Sequence, residues 1–358
     1  MRSAPTARCC EWTSPAIFLL SATPSLAQLR SRCGAVRFDA ILRAEEIVCT
    51  MGKLAVAAKI THVPSMVLSE QPGPRHGSRQ DAIAGHREIG RRCREAGVDT
   101  LVVFDTHWLV NANYHINCAA HFKGDYTSNE LPHFINWMHF DAPGNPALGH
   151  LLARVCNDWG VETLAHDRTS LNPEYGTLVP LRYMNADQHF RVVSVSALCM
   201  AHYLDDSARL GWAMRRAIEE HYDGTVAFLA SGSLSHRFAQ NGLAPEYAFR
   251  IWSPFLEQLD RQVLRMWSAR EWADFCAMLP DYAAKGHGEG FMHDTAMLLG
   301  ALGWRGYDGA VEVITPYFAA SGTGQINALF EVTPQTGEHI PNPRASRAEG
   351  YTAVSERL

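Results

Sequence analysis

The chain has 358 residues, of which 47% are hydrophobic and 19% are charged, so it can bury a large core as one large or two modest domains. Its formal net charge of -5 comes without long runs of one sign, which argues against nucleic acid as a partner. The nine cysteines include no CxxC pair, which argues against a disulfide framework or a thiolate zinc site and favours a reducing cytoplasm.

Residues 1–50 do not match the rest of the chain. They contain four of the nine cysteines, and their short apolar stretch resembles a signal-peptide core only faintly and is far too short to span a bilayer. Met51 opens directly into the first predicted strand, so we interpret residues 1–50 as a non-native or disordered extension. Residues 334–358 are rich in polar residues and proline and are predicted to form a disordered tail. Residues 51–333 are then predicted to form one domain.

Short apolar runs rich in β-branched residues alternate with helix patterns along this domain. Strands are predicted over residues 54–60, 98–104, 191–196, 225–230 and 310–314. Helices are predicted over residues 80–96, 146–159, 206–221, 255–267 and 293–302. The clearest helix begins at Asn145-Pro146, where a capping residue precedes proline at the first helical position. The alternation predicts an α/β fold with a central, largely parallel or mixed sheet flanked by helices.

A histidine comes just after each of three predicted strands: His62, His107 and His236. Ligands of open α/β sheets bind at the carboxyl ends of the strands, so we expect these imidazoles to meet. Any one histidine is more often a hydrogen-bonded loop or core residue, but their shared position indicates a metal with an acid/base group beside it. Asp105 is expected to orient a ring nitrogen of His107, or else to be an exposed carboxylate at the start of a loop.

A metal site of this kind also needs a carboxylate. Glu289 lies among glycines that would let its side chain approach an ion, and we rank it above Asp294, whose place in the first turn of a helix has a structural explanation. Two histidines and a carboxylate form the facial triad of non-haem Fe(II) oxygenases. Zinc held by three histidines is the competing interpretation and would suit hydrolysis.

Several long stretches resemble the class III extradiol ring-cleaving dioxygenases, the superfamily of the protocatechuate 4,5-dioxygenase β subunit. They include AKITHVPSM, GVDTLVVFDTHWLVN, EYGTLVPLRYMN, DGTVAFLASGSLSHRF, GEGFMHDTAMLLG and SGTGQINALF. The similarity runs from Met51 to about Phe330 and is greatest to the branch that acts on 3,4-dihydroxyphenylacetate (homoprotocatechuate).

The resemblance implies an Fe(II) cofactor and a role for each candidate residue. His62 and His107 match the family's iron-binding histidines, His236 matches its catalytic acid/base, and Glu289 is carried over as the carboxylate ligand, with Asp294 as the alternative. Tyr175 stands where many relatives carry a second active-site histidine. It is expected to hydrogen-bond the substrate or bound oxygen, or to pack as a buried aromatic beside the pocket.

The reaction that the resemblance implies is extradiol cleavage of 3,4-dihydroxyphenylacetate by O2 to 5-carboxymethyl-2-hydroxymuconate semialdehyde. The partners would be the catechol and O2, with no nucleic acid or membrane, and the chain would form a homo-oligomer in the cytoplasm. Arg182, Arg237 and Lys123 are unranked candidates to bind the substrate carboxylate. The alternatives are an extradiol dioxygenase for another catechol, a zinc hydrolase, and a non-enzymatic binding protein on the same fold.

Overall fold

The computed structural model describes residues 51–239 and 244–341. The predicted extension over residues 1–50 and the last part of the predicted tail, residues 342–358, lie outside these ranges. Residues 334–341 belong to the described part, where Ile340 packs against the core and the side-chain amide of Gln335 bonds Thr333 at 2.8 Å. Among the described residues, no helix combines the length and apolar character needed to cross a membrane.

The described residues form ten strands. These are β1 (Lys53–Ile60), β2 (Thr100–Val110), β3 (Tyr114–Asn117), β4 (His121–Tyr126), β5 (Met138–Pro143), β6 (Thr163–His166), β7 (Arg191–Cys199), β8 (Thr225–Ser231), β9 (Val311–Ala320) and β10 (Thr323–Phe330).

The same ranges contain eight α-helices and three short 3-10 turns. The helices are α1 (Ser65–Ser69), α2 (Gln80–Glu95), α3 (Pro146–Asp158), α4 (Tyr175–Met184), α5 (Leu204–His221), α6 (Pro254–Ala269), α7 (Trp272–Lys285) and α8 (His293–Leu302). The 3-10 turns are Pro245–Phe249, Glu289–Met292 and Trp304–Gly306. The predicted start of α3 is confirmed, because the Asn145 side chain accepts the Leu148 N–H at 3.1 Å.

Eight strands form one mixed sheet in the order β6-β3-β7-β2-β8-β1-β10-β9. Its centre is parallel, since β8 pairs in parallel with both β1 and β2, and β2 pairs in parallel with β7. The edge beyond β1 is antiparallel, where β10 pairs with β1 and β9. Strands β4 and β5 form a separate antiparallel pair. The predicted α/β class with a mixed sheet is confirmed.

Apolar cores cover both faces of the sheet, which explains why the central strands read as continuous apolar runs. Along β2, Val102 and Phe104 pack into the core under α3, α5 and α8. Leu101 and Val103, on the opposite face, pack into the core under α2 and α4.

The predicted end of β2 is wrong. The strand continues through His107 to Val110, so this histidine lies within a strand and not just past one. The pairing of β2 with β7 breaks register between Asp105 and Leu109, and this irregularity lets the strand run on to the edge where the site lies.

Candidate active site

Four side chains meet at the carboxyl edge of three neighbouring strands. His62 follows β1, His107 lies near the end of β2, and His236 follows β8. Because β2, β8 and β1 are adjacent and parallel, their carboxyl ends lie side by side. Glu289 reaches the same place from the turn between α7 and α8.

One carboxylate oxygen lies at the centre of the cluster. Glu289 Oε1 is 3.0 Å from His62 Nε2 and 3.1 Å from His107 Nε2, and His236 Nε2 lies 3.5 Å away. The donor atoms of His62, His107 and Glu289 all lie within 4.8 Å of one another, as a single metal ion would require. The structure thus brings together the residues that the sequence singled out.

The hydrogen bonds behind His62 set its tautomer. The Ser231 hydroxyl donates to the backbone carbonyl of Gly176 at 2.5 Å. Its oxygen can therefore accept a hydrogen bond from the N–H at His62 Nδ1, at 3.0 Å. The lone pair of Nε2 then faces the Glu289 carboxylate. Two acceptors at this distance need a cation or a proton between them, and a metal ligand has this orientation.

Glu289 is held by backbone contacts and by an unusual turn. Its second oxygen accepts the N–H of Ser233. The three residues that follow, Gly290, Phe291 and Met292, have φ values of 54°, 53° and 64°, in the left-handed region that is costly for residues with a Cβ. Such strain persists only where the surroundings impose it and is common at functional sites.

The charges around the cluster are consistent with a metal-binding carboxylate. Burial alone would raise the pKa of Glu289, but the positive charge of His236 and His62 when protonated, with hydrogen bonds from His107 and His62, outweighs burial and holds the pKa well below its usual range. Desolvation lowers the pKa of His236, although Glu289 acts in the opposite direction. The lowered pKa favours the neutral form of His236, which can accept a proton.

Asp105 does not have its predicted role. Its Oδ1 accepts the backbone N–H of His107 at 2.8 Å, not a ring nitrogen. Its Oδ2 accepts the Thr177 hydroxyl at 2.6 Å, and the side chain is fully buried. Asp105 therefore fixes the backbone of β2 at the register break and links it to α4.

Asp294 lies outside the cluster. Its carboxylate forms an ion pair with the ammonium group of Lys59, and both side chains are completely buried. Asp294, the alternative metal ligand predicted from the sequence, is therefore engaged by Lys59 instead.

A cavity of about 550 Å³ opens over the four residues. Tyr175 forms part of its wall, with its ring centroid 3.7 Å from that of His107 and its hydroxyl donating to Glu130 at 3.3 Å. Apolar side chains complete much of the lining, among them Val63, Pro64, Leu131, Phe134 and Phe238. The volume and the largely apolar wall suit a small aromatic ligand.

None of the three cationic candidates for a substrate carboxylate lines this cavity. Arg182 pairs with Glu70 at 2.7 Å, and Lys123 pairs with Asp141 at 2.8 Å. The exposed Arg237 stacks its guanidinium over Trp252, 4.4 Å from the ring centroid.

Sequence reasoning missed Ser231 and Ser233, which bond His62 and Glu289 of the cluster, and Lys59, which pairs with Asp294. The run Ser231-Gly-Ser233 at the end of β8 was a usable signal, since small residues there let neighbouring backbone and side chains approach. Lys59, by contrast, is one charged residue in an apolar strand, with a partner 235 residues away.

Comparison with known proteins shows which family the chain resembles. The family described as the catalytic LigB subunit of aromatic ring-opening dioxygenase matches residues 56–331. A 3,4-dihydroxyphenylacetate 2,3-dioxygenase of Escherichia coli is 57% identical over 269 residues, covering 75% of this chain and 97% of that protein. A 2-aminophenol 1,6-dioxygenase beta subunit of a Pseudomonas species is 28% identical over 199 residues, covering 52% of this chain and 64% of that protein.

Among solved structures, an uncharacterized protein from Escherichia coli K12 superposes with a TM-score of 0.51 at 13% identity, covering 77% of this chain and 100% of that one. This likeness concerns the fold alone. The match to the family over most of the domain, together with a site of two histidines and one glutamate, shows that the chain belongs to the class III extradiol ring-cleaving dioxygenases, the family of the catalytic LigB subunit.

Proposed function

We propose that this chain is an Fe(II)-dependent enzyme that opens the ring of 3,4-dihydroxyphenylacetate beside its two hydroxyl groups, using O2. The product would be 5-carboxymethyl-2-hydroxymuconate semialdehyde. The observation that carries the proposal is the meeting of His62, His107 and Glu289 under a small cavity, with His236 beside them. The 57% identical relative named as a 3,4-dihydroxyphenylacetate 2,3-dioxygenase supports the choice of substrate.

The donor set fits the proposed metal. Two imidazole nitrogens and one carboxylate form a facial triad, which is typical of non-haem Fe(II) and leaves positions open for other ligands. His62 Nε2 and the Glu289 oxygen are two acceptors 3.0 Å apart, and a divalent cation bound to both would remove the repulsion between them. Bound Fe(II) would supply the electron transfer between catechol and dioxygen.

The protein's own part is to hold the catechol and to move protons. His236 is half-buried at the cavity wall, and its lowered pKa favours the neutral form. It would accept the proton of a catechol hydroxyl and return it to an oxygen of the product, as a general base and then a general acid.

Tyr175 is proposed to act through position rather than proton transfer. Burial raises its pKa far above the ordinary value, so the phenol stays protonated. Its ring packs on His107 and restricts the space above the ligands. Its hydroxyl, which donates to Glu130, is placed to exchange that partner for an oxygen of the substrate.

The test is oxygen uptake by the protein loaded anaerobically with Fe(II), using a panel of catechols. We expect one O2 per ring, a yellow product with the pH-sensitive colour of a ring-cleaved semialdehyde, and the highest kcat/KM for 3,4-dihydroxyphenylacetate. A colourless product of cleavage between the hydroxyls would overturn the reaction, and a better rate with another catechol would overturn the substrate. No oxygen uptake with Fe(II), together with hydrolytic activity of the Zn(II)-loaded protein, would favour a hydrolase.

We also propose that the enzyme is a cytoplasmic homo-oligomer. The cysteines support a reducing compartment, since the five in the described residues are all buried and free of disulfides. Sedimentation of the purified chain would test the assembly, and a monomer at micromolar concentration would contradict it.

A further inference from the structure

The proposed substrate poses a problem that the catalytic cluster does not solve. Its acetate arm carries a negative charge, and a carboxylate buried without a partner is strongly disfavoured. Among the described residues that line the cavity there is no lysine or arginine, whereas two of them, Glu130 and Glu289, are acidic. No lysine or arginine among the described residues is therefore placed at the cavity surface to meet the charge of the arm.

Arg79 is a buried cation just behind the cavity wall. Its side chain is only 6% exposed, and it forms no ion pair with an acidic residue anywhere in the described ranges. Its guanidinium donates instead to neutral oxygens, the backbone carbonyls of Ala319 and Ala248 at 3.0 and 2.9 Å. The guanidinium also lies 4.9 Å from the ring centroid of Phe249.

The guanidinium of Arg79 is therefore a buried positive charge without an acidic partner among the described residues. Burial lowers the pKa of Arg79, with a smaller contribution from Arg75, but only to about 10, so the group remains charged at neutral pH. Arg75 adds a second cation, with its guanidinium 4.9 Å from the same Phe249 ring. A buried cation without a counter-ion is costly, and an anion bound nearby would recover part of that cost.

Ser65 connects Arg79 to the cavity. Arg79 Nε donates to Ser65 Oγ at 2.9 Å, so the serine oxygen acts as an acceptor there and its own proton is left for another partner. Ser65 lines the cavity and lies three residues after His62. Three residues span at most about 11 Å, which puts the hydroxyl within reach of a substituent on a ring held at the ligand cluster.

We propose that the Ser65 hydroxyl, polarised by Arg79, binds the carboxylate of the substrate's side chain and so sets the preference for catechols with an anionic arm. This inference rests on the proposed function and adds the residues that select the substrate. The hydroxyl donates directly, and the guanidinium behind it supplies the charge without being exposed to solvent. Both residues act in substrate binding and take no part in ring opening.

The experiment compares two substrates that differ in the charge of the arm, 3,4-dihydroxyphenylacetate and 4-ethylcatechol, on the full-length Fe(II)-loaded enzyme. Ser65→Ala should lower kcat/KM for the acid about tenfold or more, mainly through KM, because one charge-assisted hydrogen bond is lost. The same variant should change kcat/KM for 4-ethylcatechol by less than about threefold. Ser78→Ala is the matched control, a nearby serine between α1 and α2 that does not line the cavity.

Arg79 variants test the source of the charge. Arg79→Lys keeps a cation and should retain part of the preference for the acid, whereas Arg79→Gln should abolish it. Because Arg79 also holds three acceptors, the melting temperature of each variant is measured, and only folded variants with wild-type iron content are compared. Ser65→Ala keeps the inference testable if both Arg79 variants fail to fold.

The outcomes separate the inference from the function on which it rests. If the wild type does not cleave catechols, the proposed function fails. If it cleaves both substrates equally well, the substrate assignment fails. If the wild type prefers the acid but Ser65→Ala loses equal efficiency on both substrates, the function stands and the role of Ser65 is overturned.

Discussion

The carboxylate of Asp294 pairs with the ammonium group of Lys59 inside the protein, and neither side chain is exposed to solvent. The other oxygen of Asp294 accepts the Thr295 hydroxyl at 3.3 Å. Glu289, five residues earlier, instead directs its carboxylate towards the histidines. The two acidic residues that the sequence offers as metal ligands are thus distinguished by their partners.

This difference predicts opposite effects of two conservative substitutions. Glu289→Gln should remove most of the bound iron from a protein that still folds. Asp294→Asn should retain iron but lower the free energy of unfolding by about 3 to 5 kcal/mol, because Lys59 is left buried and unpaired. Iron analysis and urea unfolding measure the two effects.

A double variant serves as the control for this pair. Replacing both Lys59 and Asp294 by apolar residues, as Lys59→Met with Asp294→Leu, should recover much of the stability that Asp294→Asn loses, since no unpaired charge remains. Iron loss in Asp294→Asn with iron retained in Glu289→Gln would reverse the assignment of the ligand.

Substitutions of the three histidines are predicted to have different effects on iron content and activity. His62→Ala and His107→Ala should lose iron together with activity. His236→Ala should keep iron and lower kcat by about two to four decades, the range for loss of a general acid/base. The measurements are iron content and kcat on the same preparations, and equal iron loss in all three variants would show that His236 is a ligand.

The turn after Glu289 should tolerate no side chain at Gly290. A Cβ there would lie 2.8 Å from Thr106 Cγ2 and 2.9 Å from the Ala197 carbonyl oxygen, at a φ of +54°. Gly290→Ala should displace Glu289 and lower iron affinity and activity together, as measured by iron titration and oxygen uptake.

Gly97→Ala is the control for Gly290→Ala. Gly97 also has a positive φ, +72°, but a Cβ there would meet nothing within 4 Å. This variant should lose only about 1 to 2 kcal/mol of stability, the cost of the left-handed conformation, and keep normal iron affinity. Similar iron loss in both variants would mean that general destabilisation is responsible.

The stability of the protein should fall with acid because of a buried histidine. Burial lowers the pKa of His293 from 6.5 to about 3, and its Nδ1 lies 2.7 Å from the Ser207 hydroxyl in the core. Above pH 6.5 both folded and unfolded states are neutral at this residue, so its full contribution is present. Below pH 6.5 only the unfolded state takes up the proton, and stability falls by at most about 1.4 kcal/mol per pH unit until about pH 3.

Urea unfolding between pH 7.5 and 4 measures this dependence. His293→Gln should make the free energy of unfolding less steep in pH over that interval, at some cost in stability at pH 7.5. His189→Gln, at an exposed histidine, should leave the slope unchanged. A slope that is the same in the wild type and in His293→Gln would contradict the prediction.

Much of the fold could be predicted from local patterns, because local physics determines them. Apolar β-branched runs predicted the central strands, and Asn145-Pro146 predicted the start of α3, where the asparagine caps the helix. The placement of His62 and His236 after strands was sufficient to predict that they meet, since parallel neighbours end at one edge of the sheet. The glycines around Glu289 likewise indicated a special backbone there.

Other features were decided only by the tertiary structure, because they depend on pairs distant in the chain. The register break that extends β2 through His107 arises from its pairing with β7, and no local pattern marks it. Lys59 can be buried in the core because it forms an ion pair with Asp294. Arg79 can be buried because Ser65 and two backbone carbonyl groups accept hydrogen bonds from it. The sequence alone determined which residue types were available for a metal and an acid/base, while packing determined which carboxylate faces the histidines and which stabilises the core.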